Sequence, residues 1–299
     1  MKIGSLCTGY GGLDMAVEAF FDAEMVWCAE NDKYASKLIE QRFNKPNLGD
    51  IKEIDWATVE PIDILTAGYP CQPFSHAGQR KGTDDQRHIW PHIIKAISIL
   101  RPKFIILENV RGHLSLGFKE VLGDLAKNGY DAKWRVVRAS DVGAPHQRAR
   151  LFIVAYPINS RCQQREPSRF KAGFSKFEID GCASNSNCNS CEKSRRATLC
   201  LQGKSRGLQS RENKRQTRYE HRFSRSMDRQ TVPDTLDQGR LNAKFVEYMM
   251  GLPIGWVTNL DFTRSQQLKM LGNGVVPQQA YYALQLLCDV NHSPHSEMI

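Results

Sequence analysis

A cysteine stands between two prolines in "GYPCQPFS", residues 68–75, near the end of an apolar run. Pro70 and Pro73 restrict the backbone on both sides of Cys71 and therefore fix the direction of its thiol. A thiol at the end of a strand that faces the start of a helix can have a lowered pKa, and the resulting thiolate is a nucleophile. A buried cysteine that only packs is the alternative, and this stretch alone leaves both interpretations open.

A carboxylate and two guanidinium groups stand next to other apolar runs. Glu108 lies near the end of "FIILENV", so a second strand is expected to deliver it to the same edge of a sheet as Cys71. A nucleophile and an acid at one edge is the arrangement of a covalent catalytic site. Arg148 and Arg150, in "QRARLFIV", are expected to project from one face of a strand. Two guanidinium groups on one face suit a carbonyl oxygen, a carboxylate or a phosphate, although a plain basic strand edge has the same pattern.

A glycine-rich turn and two acids have the properties of a nucleoside site. In "LCTGYGGLD" a strand ends, and Gly9, Gly11 and Gly12 would let the backbone approach a ligand closely before a helix begins. The spacing is not that of a dinucleotide fingerprint, so a purely structural turn remains an alternative. Glu30 follows the second strand and could bind ribose hydroxyls, and Asp50 could bind an adenine amine. Each acid is also compatible with an ordinary exposed loop.

These residues need a scaffold that brings strand ends together. Over residues 1–157 apolar strands such as "KIGSLCTG", "DILTAGY" and "KFIILENV" alternate with helical stretches such as "LDMAVEAFF". Short loops between them predict a parallel sheet covered by helices on both faces, with ligands at the carboxyl ends of the strands. Near the C-terminus, "LGNGVVPQQAYYALQLL" predicts a glycine turn and a helix from about Pro277 that packs back onto the first half.

The positive charge of the chain is concentrated in one central segment. The chain has a formal net charge of +9, and residues 159–230 hold 17 Lys and Arg but only 7 Asp and Glu. The rest of the chain, with 24 basic and 25 acidic residues, is nearly neutral. This asymmetry indicates a polyanionic partner such as nucleic acid, although a solvated and poorly ordered insert has the same composition.

The remaining bulk properties are those of an ordinary globular protein. Hydrophobic residues make up 41% of the chain and charged residues 24%. No run reaches the roughly 18 apolar residues of a membrane span, and "MKIGSLCTGYGG" lacks the apolar core of a signal peptide. We therefore expect a cytoplasmic protein whose nine cysteines are mostly free thiols.

Seven motifs occur together and in order: "SLCTGYGGLD", "AEND", "GDI", "GYPCQPFS", "LENV", "QRARLF" and "LGNGVVP". As a set they resemble the motifs of the cytosine-C5 DNA methyltransferase family of bacteria and phages, over residues 1–157 and about 240–290. The resemblance implies an α/β fold with a Rossmann-like S-adenosylmethionine-dependent methyltransferase sheet and a second, smaller target recognition domain. It places the catalytic and cofactor-binding domain at residues 1–158, completed by 265–299, and the recognition domain at 159–264.

The resemblance also implies a catalytic mechanism for the residues at the sheet edge. Cys71 would add to C6 of cytosine, which makes C5 nucleophilic toward the methyl group of S-adenosylmethionine. Glu108 would hold N3 and the exocyclic amine and supply or share a proton. Arg150, with Arg148 close by, would bind the O2 carbonyl or position Cys71 and a nearby phosphate. The target base must first leave the DNA stack.

The resemblance further implies a cofactor pocket for S-adenosylmethionine. The glycine turn would bind the methionine end of the cofactor, Glu30 the ribose, and Asp50 and Ile51 the adenine. Cys7 stands where the family often has an aromatic residue, which weakens stacking on adenine. The complete expected set is Cys7, Thr8, Gly9, Tyr10, Gly11, Gly12, Glu30, Asn31, Asp50, Ile51, Gly68, Pro70, Asn273 and Val275.

Double-stranded DNA is the partner that the resemblance implies. The stretch "HAGQRKGTDDQRHIW" is charged and lacks apolar periodicity, which is typical of a loop that closes over the flipped base. The residues expected to touch DNA from this region are Gln72, Ser75, Arg80 and Lys81. The protein is expected to be a monomer associated with the nucleoid. The family also allows a cognate restriction endonuclease as a partner.

The cysteines of the basic segment leave one alternative open. Cys182, Cys188, Cys191 and Cys200 lie within 19 residues, and the pair Cys188 and Cys191 has a spacing that could ligate zinc. The outer spacings match no common zinc site, so free thiols are the preferred interpretation and no metal is expected. Two other functions compatible with the motifs are methylation of tRNA cytosine and DNA binding by a catalytically inactive relative. The intact Cys71, Glu108 and Arg150 argue against the latter.

Overall fold

A six-stranded sheet forms the centre of the computed structural model, which describes residues 1–70, 89–158 and 232–288. The sheet strands are β1 (Lys2–Leu6), β2 (Glu24–Ala29), β3 (Ile64–Gly68), β4 (Phe104–Val110), β5 (Tyr130–Val137) and β6 (Arg150–Pro157). The helices are α1 (Gly12–Phe21), α2 (Lys33–Phe43), α3 (Trp90–Leu100), α4 (Phe118–Lys127), α5 (Ala243–Met249), α6 (Arg264–Asn273) and α7 (Pro277–Cys288). Two-residue strands, β7 (Leu236–Asp237) and β8 (Arg240–Leu241), form a separate ladder.

The strand order brings the predicted catalytic motifs to one edge. The order is β2-β1-β3-β4-β6-β5, and β1 to β4 are parallel. The chain progresses to one side of β1 with β2 and to the other side with β3, so the order reverses between β1 and β3. Open α/β sheets bind their ligands at such a reversal, outside the carboxyl ends of the strands. Gly68, at the end of β3, is paired in register with Glu108 of β4.

The predicted α/β fold is confirmed, but the prediction that every strand is parallel is wrong for β6. This strand runs antiparallel to both of its neighbours, β4 and β5. A parallel crossover needs a long connection, usually with a helix. Residues 138–149, which join β5 to β6, hold only the short 3-10 helix Ala139–Val142. The chain therefore turns back on itself at this point.

The segment that leads to Asp50 forms almost no ladder with the sheet. A single parallel bridge between Cys28 and Asn47 is the only pairing found there among the described residues. The polar stretch "FNKPNLGD" contains a proline and a glycine, which weaken a continuous ladder. Asp50 is therefore presented from a loop beside β2.

Both faces of the sheet are covered, as the apolar strands predicted. On one face, side chains such as Leu65 and Leu107 pack with α3 and α4. On the other face, side chains such as Ile64 and Ile106 pack with α1 and α7. Neighbouring residues of one strand thus belong to different cores, which explains the continuous apolar runs of β3 and β4. Within the described parts of the chain, no helix has the length and apolar character needed to span a bilayer.

The C-terminal helix packs back onto the first half, as predicted. Helix α7 begins at Pro277, a residue suited to the first turn because its missing N–H is not needed there. Tyr281 of α7 makes an edge-to-face contact with Phe20 of α1, with 5.6 Å between the ring centroids. The buried Gln279 amide donates to the carbonyls of Val137 and Arg148, both at 2.8 Å. Helix α7 is therefore tied to β5 and to the residues that precede β6.

The segment from α5 to α6 packs on the sheet domain. Its buried residues form one apolar cluster with Tyr10 and Leu38. The buried Glu247 carboxylate accepts hydrogen bonds from the backbone N–H groups of Gly255 (2.7 Å), Val257 and Thr258, which holds the turn after α5. The described residues from Ala243 to Asn273 therefore pack against the sheet domain. The predicted boundary of the recognition domain at residue 264 stays a prediction, since residues 159–231 lie outside the described chain.

Tyr10 connects the turn after β1 to residues 256–275, which lie far from it in the sequence. Its ring is fully buried, and its hydroxyl donates to the Val275 carbonyl at 2.7 Å. The Tyr10 carbonyl accepts from the indole N–H of Trp256 at 3.0 Å. Gly274 lies directly against the ring, and a Cβ at this position would overlap the ring atoms of Tyr10. The absence of a side chain at Gly274 is thus what allows the two segments to meet.

We predict that Gly274→Ala lowers the free energy of unfolding by about 3 kcal/mol, the upper end of the roughly 1–3 kcal/mol that overpacking a filled core typically costs, because the added Cβ would overlap the Tyr10 ring. Gly272→Ala is the matched control, since a Cβ there meets nothing within 4 Å and the position is helical. The control is expected to be neutral or to stabilise by up to about 1 kcal/mol. Urea unfolding of both variants checks this, and equal effects at the two positions would contradict the close approach.

Candidate active site

The turn after β1 lies at the carboxyl edge of the sheet and uses unusual backbone angles. Cys7, Gly9 and Gly11 have positive φ values of 53°, 59° and 82°. Helix α1 then begins at Gly12, and no side chain caps its first backbone N–H groups. A Cβ at Gly9 would meet no atom within 4 Å, so the described structure leaves space above this turn.

Glu30 holds this turn from the neighbouring strand. Its carboxylate accepts hydrogen bonds from the backbone N–H of Gly9 at 2.8 Å and from that of Asp32 at 2.9 Å. Burial raises the pKa of Glu30, and these hydrogen bonds oppose the shift. Each carboxylate oxygen keeps a further lone pair for another donor. Glu30 therefore shapes the turn and can still accept hydrogen bonds from hydroxyl groups.

The other predicted adenine-side residues gather next to Glu30. The amide of Asn31 lies 3.4 Å from the Asp50 carboxylate, and Ile51 is buried beside them. Burial raises the pKa of the Cys7 thiol to about 12, and the carboxylates of Glu30 and Asp50 add to the shift. Cys7 is therefore a neutral thiol at physiological pH. The backbone N–H of Cys7 donates to the Ala29 carbonyl at 2.9 Å, which places Cys7 next to Glu30.

Other members of the predicted cofactor set have different surroundings. The Thr8 hydroxyl is buried and lies 2.8 Å from the Ser5 hydroxyl. The Tyr10 ring points into the core, so only its backbone can face the turn. Asn273 is exposed at the end of α6, and Val275 is buried beneath the turn. A Cβ at Gly12 would overlap the Val275 carbonyl oxygen, which shows how closely these segments approach.

The buried Glu108 and the partly buried Arg150 form an ion pair at the same edge. Arg150 Nε donates to Glu108 Oε1 at 3.0 Å, and the two side chains are only 18% and 8% exposed. Val110, the last residue of β4, is paired with Arg150, the first residue of β6. A Cβ at Gly68 would lie 3.7 Å from Glu108 Oε2 and 3.8 Å from the Cys7 carbonyl oxygen. The ion pair thus borders the ends of both β3 and β1.

The environment of Glu108 raises the pKa of its carboxyl to about 7. Burial is the main cause, and the positive charges of Arg150 and Arg148 oppose it. A carboxyl with a pKa near neutrality can donate or accept a proton at physiological pH. Its ordinary value of 4.5 would leave it almost fully ionised. The arrangement therefore gives this edge of the sheet a proton donor.

Arg148 is oriented differently from the sequence-based expectation. It has a positive φ of 33° and precedes β6, so strand alternation does not place it beside Arg150. Its guanidinium donates to the carbonyls of Gly272 and Gly274 at 2.8 and 2.6 Å. These contacts tie the approach to β6 to the end of α6. Arg148 still influences Glu108 electrostatically.

Pro70 is the last described residue before the predicted nucleophile, Cys71. Tyr69 is buried and Pro70 is exposed at the end of β3. Several predicted residues follow in the chain and lie outside the described residues: Cys71, Gln72, Ser75, Arg80 and Lys81. The four cysteines of the basic segment, Cys182, Cys188, Cys191 and Cys200, also lie outside the described residues.

Sequence reasoning missed a buried polar network under the glycine turn. The hydroxyl of Thr66, in β3, donates to the Asp14 carboxylate at 2.5 Å. Burial raises the pKa of Asp14 to about 6, and hydrogen bonds from Thr66 and Ser5 oppose the shift. The signal in the sequence was polar residues inside otherwise apolar strands, such as Ser5 in "KIGSL" and Thr66 in "ILTAG". This network joins α1 to β1 and β3 beneath the site.

Comparisons with known proteins give a consistent result. The sequence profile of the C-5 cytosine-specific DNA methylase family matches residues 1–287. Type II methyltransferase M.Bsp6I of Bacillus sp. (strain RFL6) is 37% identical over 164 residues, 52% of this chain and 52% of that protein. Type II methyltransferase M.HhaI of Haemophilus parahaemolyticus is 34% identical over 162 residues, 52% and 49% of the two chains. These matches thus span about half the length of each relative.

Solved structures resemble the fold across almost the whole chain. The S. pombe Dnmt2 methyltransferase has a TM-score of 0.57 and 18% identity over 94% of this chain and 97% of its own. A putative DNA modification methyltransferase encoded within an E. coli prophage has a TM-score of 0.58 and 18% identity, with 95% and 97% coverage. At this level of identity the likeness concerns the fold, which agrees with the sheet described above.

We predict that Glu108 makes stability fall as pH rises. Its folded pKa of about 7 lies above its ordinary value of 4.5, so the folded state holds the proton more tightly. The stabilisation is complete below pH 4.5 and is lost as pH rises through 7. Relative to wild type, Glu108→Gln should therefore gain on the order of 1–3 kcal/mol between pH 5 and 8.

Urea unfolding of both proteins at several pH values measures this difference. Asp14 and Glu18, whose pKa values burial raises to about 6 and about 7, are present in both proteins and cancel in the comparison. A difference between wild type and Glu108→Gln that stays constant with pH would mean that Glu108 titrates normally.

Proposed function

Because the chain belongs to the C-5 cytosine-specific DNA methylase family, we propose that it is a DNA (cytosine-5-)-methyltransferase. It would transfer a methyl group from S-adenosylmethionine to C5 of a cytosine in a specific duplex sequence. The observation that supports this most strongly is the ion pair between the buried Glu108 and the partly buried Arg150, beside the strand that leads to Pro70 and Cys71. A proton donor and a cation are what a pyrimidine ring needs to accept a nucleophile.

The proposed chemistry assigns one task to each side chain. The Cys71 thiolate forms a bond to C6 of cytosine, and Glu108 gives or shares a proton at N3, so the electron pair of the C5–C6 bond becomes available at C5. Arg150 donates to the O2 carbonyl, where negative charge develops. After methylation a base removes the C5 proton, and the C6–sulfur bond breaks to release Cys71 as a thiolate.

The residues at the edge of β1 and β2 fit S-adenosylmethionine. The cofactor supplies an electrophilic methyl group on a sulfonium. The Glu30 carboxylate would accept the ribose hydroxyls, and Asp50 with Asn31 would face the adenine. The space that the described residues leave above Gly9 would hold the methionine end. Cys7 and Ile51 would line the adenine pocket with small or aliphatic groups, and Asn273 and Val275 would complete it.

Duplex DNA as substrate follows from the proposed activity and from the charge distribution. C6 of a stacked cytosine is out of reach of a thiolate, so the base must be flipped out of the helix. Gln72, Ser75, Arg80 and Lys81 would contact the DNA around the flipped base, and the basic segment 159–230 would bind phosphates and read base edges. A restriction endonuclease that cuts the same sequence is a proposed partner of the system.

Methyl transfer from tritiated S-adenosylmethionine tests the proposed function. Incorporation into genomic duplex DNA of mixed sequence is the expected result, with tRNA as the alternative acceptor in a parallel reaction. Bisulfite sequencing of DNA from cells that express the protein would then identify the modified cytosine and its sequence context. Transfer to tRNA but not to DNA, or to neither, would overturn the proposal.

We predict that Cys71→Ser lowers the methylation rate by roughly three orders of magnitude or more, because a hydroxyl is a far weaker nucleophile at neutral pH. Binding of S-adenosylmethionine, measured by calorimetry, should be retained. Cys28→Ser is the matched control, since Cys28 is a buried free cysteine in β2. Full activity of Cys71→Ser would exclude the covalent mechanism.

We predict different kinetic effects for the two arginines. Arg150→Met removes the partner of Glu108 and a donor to O2, so kcat should fall about 100- to 1000-fold. Arg148→Met removes the hydrogen bonds to Gly272 and Gly274, so stability should fall by about 1–3 kcal/mol and the KM for S-adenosylmethionine should rise. Steady-state kinetics and urea unfolding separate the two effects. Identical kinetic profiles would contradict this division of roles.

A further inference from the structure

Tyr69 is the last buried residue before Pro70 and Cys71, and it is held through its side chain. Its ring is 5% exposed and lies against Trp90 of α3, with 5.7 Å between centroids. Its hydroxyl lies 2.9 Å from Nε2 of His113. The His113 ring meets the Tyr69 ring edge-to-face at 5.6 Å and is itself 3% exposed. This contact is therefore fully inside the protein.

The backbone of Tyr69 is held by the same segment. The side-chain amide of Asn109 donates to the Tyr69 carbonyl at 3.2 Å. Asn109 directly follows Glu108, and His113 lies in the 3-10 helix that follows β4, Arg111–Ser115. The segment that carries Glu108 thus forms hydrogen bonds to both the main chain and the side chain of Tyr69, two residues before Cys71.

A buried Tyr–His hydrogen bond is not required for packing alone. Phe at position 69 and an aliphatic side chain at position 113 would fill much the same space without burying polar atoms. Burial lowers the pKa of His113, so its imidazole is neutral and offers one donor and one acceptor. The hydrogen bond then sets the rotation of both rings, which apolar contact would leave less defined.

We propose that Tyr69 and His113 are positioning residues that fix the end of β3 relative to Glu108, so that the chain continues from Pro70 toward Cys71 in one orientation. This inference rests on the proposed function. A nucleophile and an acid that act on one small ring need their relative positions set to within a fraction of an ångström. The hydrogen bond between Tyr69 and His113 supplies that constraint, because it joins the residue that follows β3 to the 3-10 helix that follows β4.

Tyr69→Phe isolates the role of the hydroxyl, because it keeps the ring and the backbone bond to Asn109. Tyr130→Phe is the matched control. Tyr130 is also buried, at 2% exposure, and its hydroxyl donates to the Pro102 carbonyl at 2.8 Å. Tyr130 begins β5, at the opposite edge of the sheet from Glu108. Both variants lose one buried tyrosine hydrogen bond, and only one of them is near the site.

The measurement is the single-turnover rate of methyl transfer from tritiated S-adenosylmethionine to genomic DNA, with enzyme in excess. We expect Tyr69→Phe to be about 10- to 100-fold slower, with affinities for S-adenosylmethionine and DNA within about twofold of wild type. Tyr130→Phe should shift the urea midpoint by a similar amount and keep the wild-type rate. His113→Leu should match Tyr69→Phe, and the double variant should be no slower than either.

A conservative replacement separates orientation from simple loss of stability. The amide of Gln reaches about as far as Nε2 of histidine, so His113→Gln should recover part of the rate lost in His113→Leu. A wild-type rate for Tyr69→Phe, or equal slowing in Tyr69→Phe and Tyr130→Phe, would overturn the positioning role. An inactive wild-type protein on DNA would instead overturn the proposed function, so the two failures are distinguishable.

Discussion

The site depends on the antiparallel direction of β6. Because this strand opposes β4, its first residue, Arg150, is paired with the last residue of β4, Val110. If β6 ran parallel to β4, Arg150 would lie at the other edge of the sheet, roughly 20 Å away for a strand of this length. Glu108 would then be a buried carboxyl with no cation beside it. The reversal of one strand is thus what turns two separate motifs into an ion pair.

This reversal is also what the sequence could not predict. The apolar runs of β3, β4 and β6 indicate buried strands, since residues on both faces enter cores. Apolar periodicity carries no information about direction, which depends on how the chain returns between strands. Between β5 and β6 the returning segment is short and holds only a 3-10 helix. The elements and their burial were therefore predictable, but the direction of β6 was not.

For the site, strand ends were more predictable than the orientation of single side chains. Cys7, Glu30, Gly68 and Glu108 were placed at one edge by the rule for carboxyl ends, and the structure brings them together. Arg148 was expected beside Arg150 from strand alternation, but its positive φ breaks the alternation two residues before the strand. Tyr10 was expected near the cofactor, but its ring is buried and its hydroxyl donates to the Val275 carbonyl. Both differences arise from long-range contacts with residues 272–275.

Three buried carboxyls show how surroundings decide between a structural and a chemical role. Asp14 is bonded to the Thr66 hydroxyl, and Glu18 accepts the N–H of Met25 at 3.0 Å. Glu108 lies at the edge of the sheet, and its strongest stabilising partner is a cation, Arg150. Neutral donors hold the first two acids in place, whereas a cation can also help to stabilise the negative charge that forms when Glu108 gives up its proton. Of the three, only Glu108 combines an exchangeable proton with a position beside the end of β3.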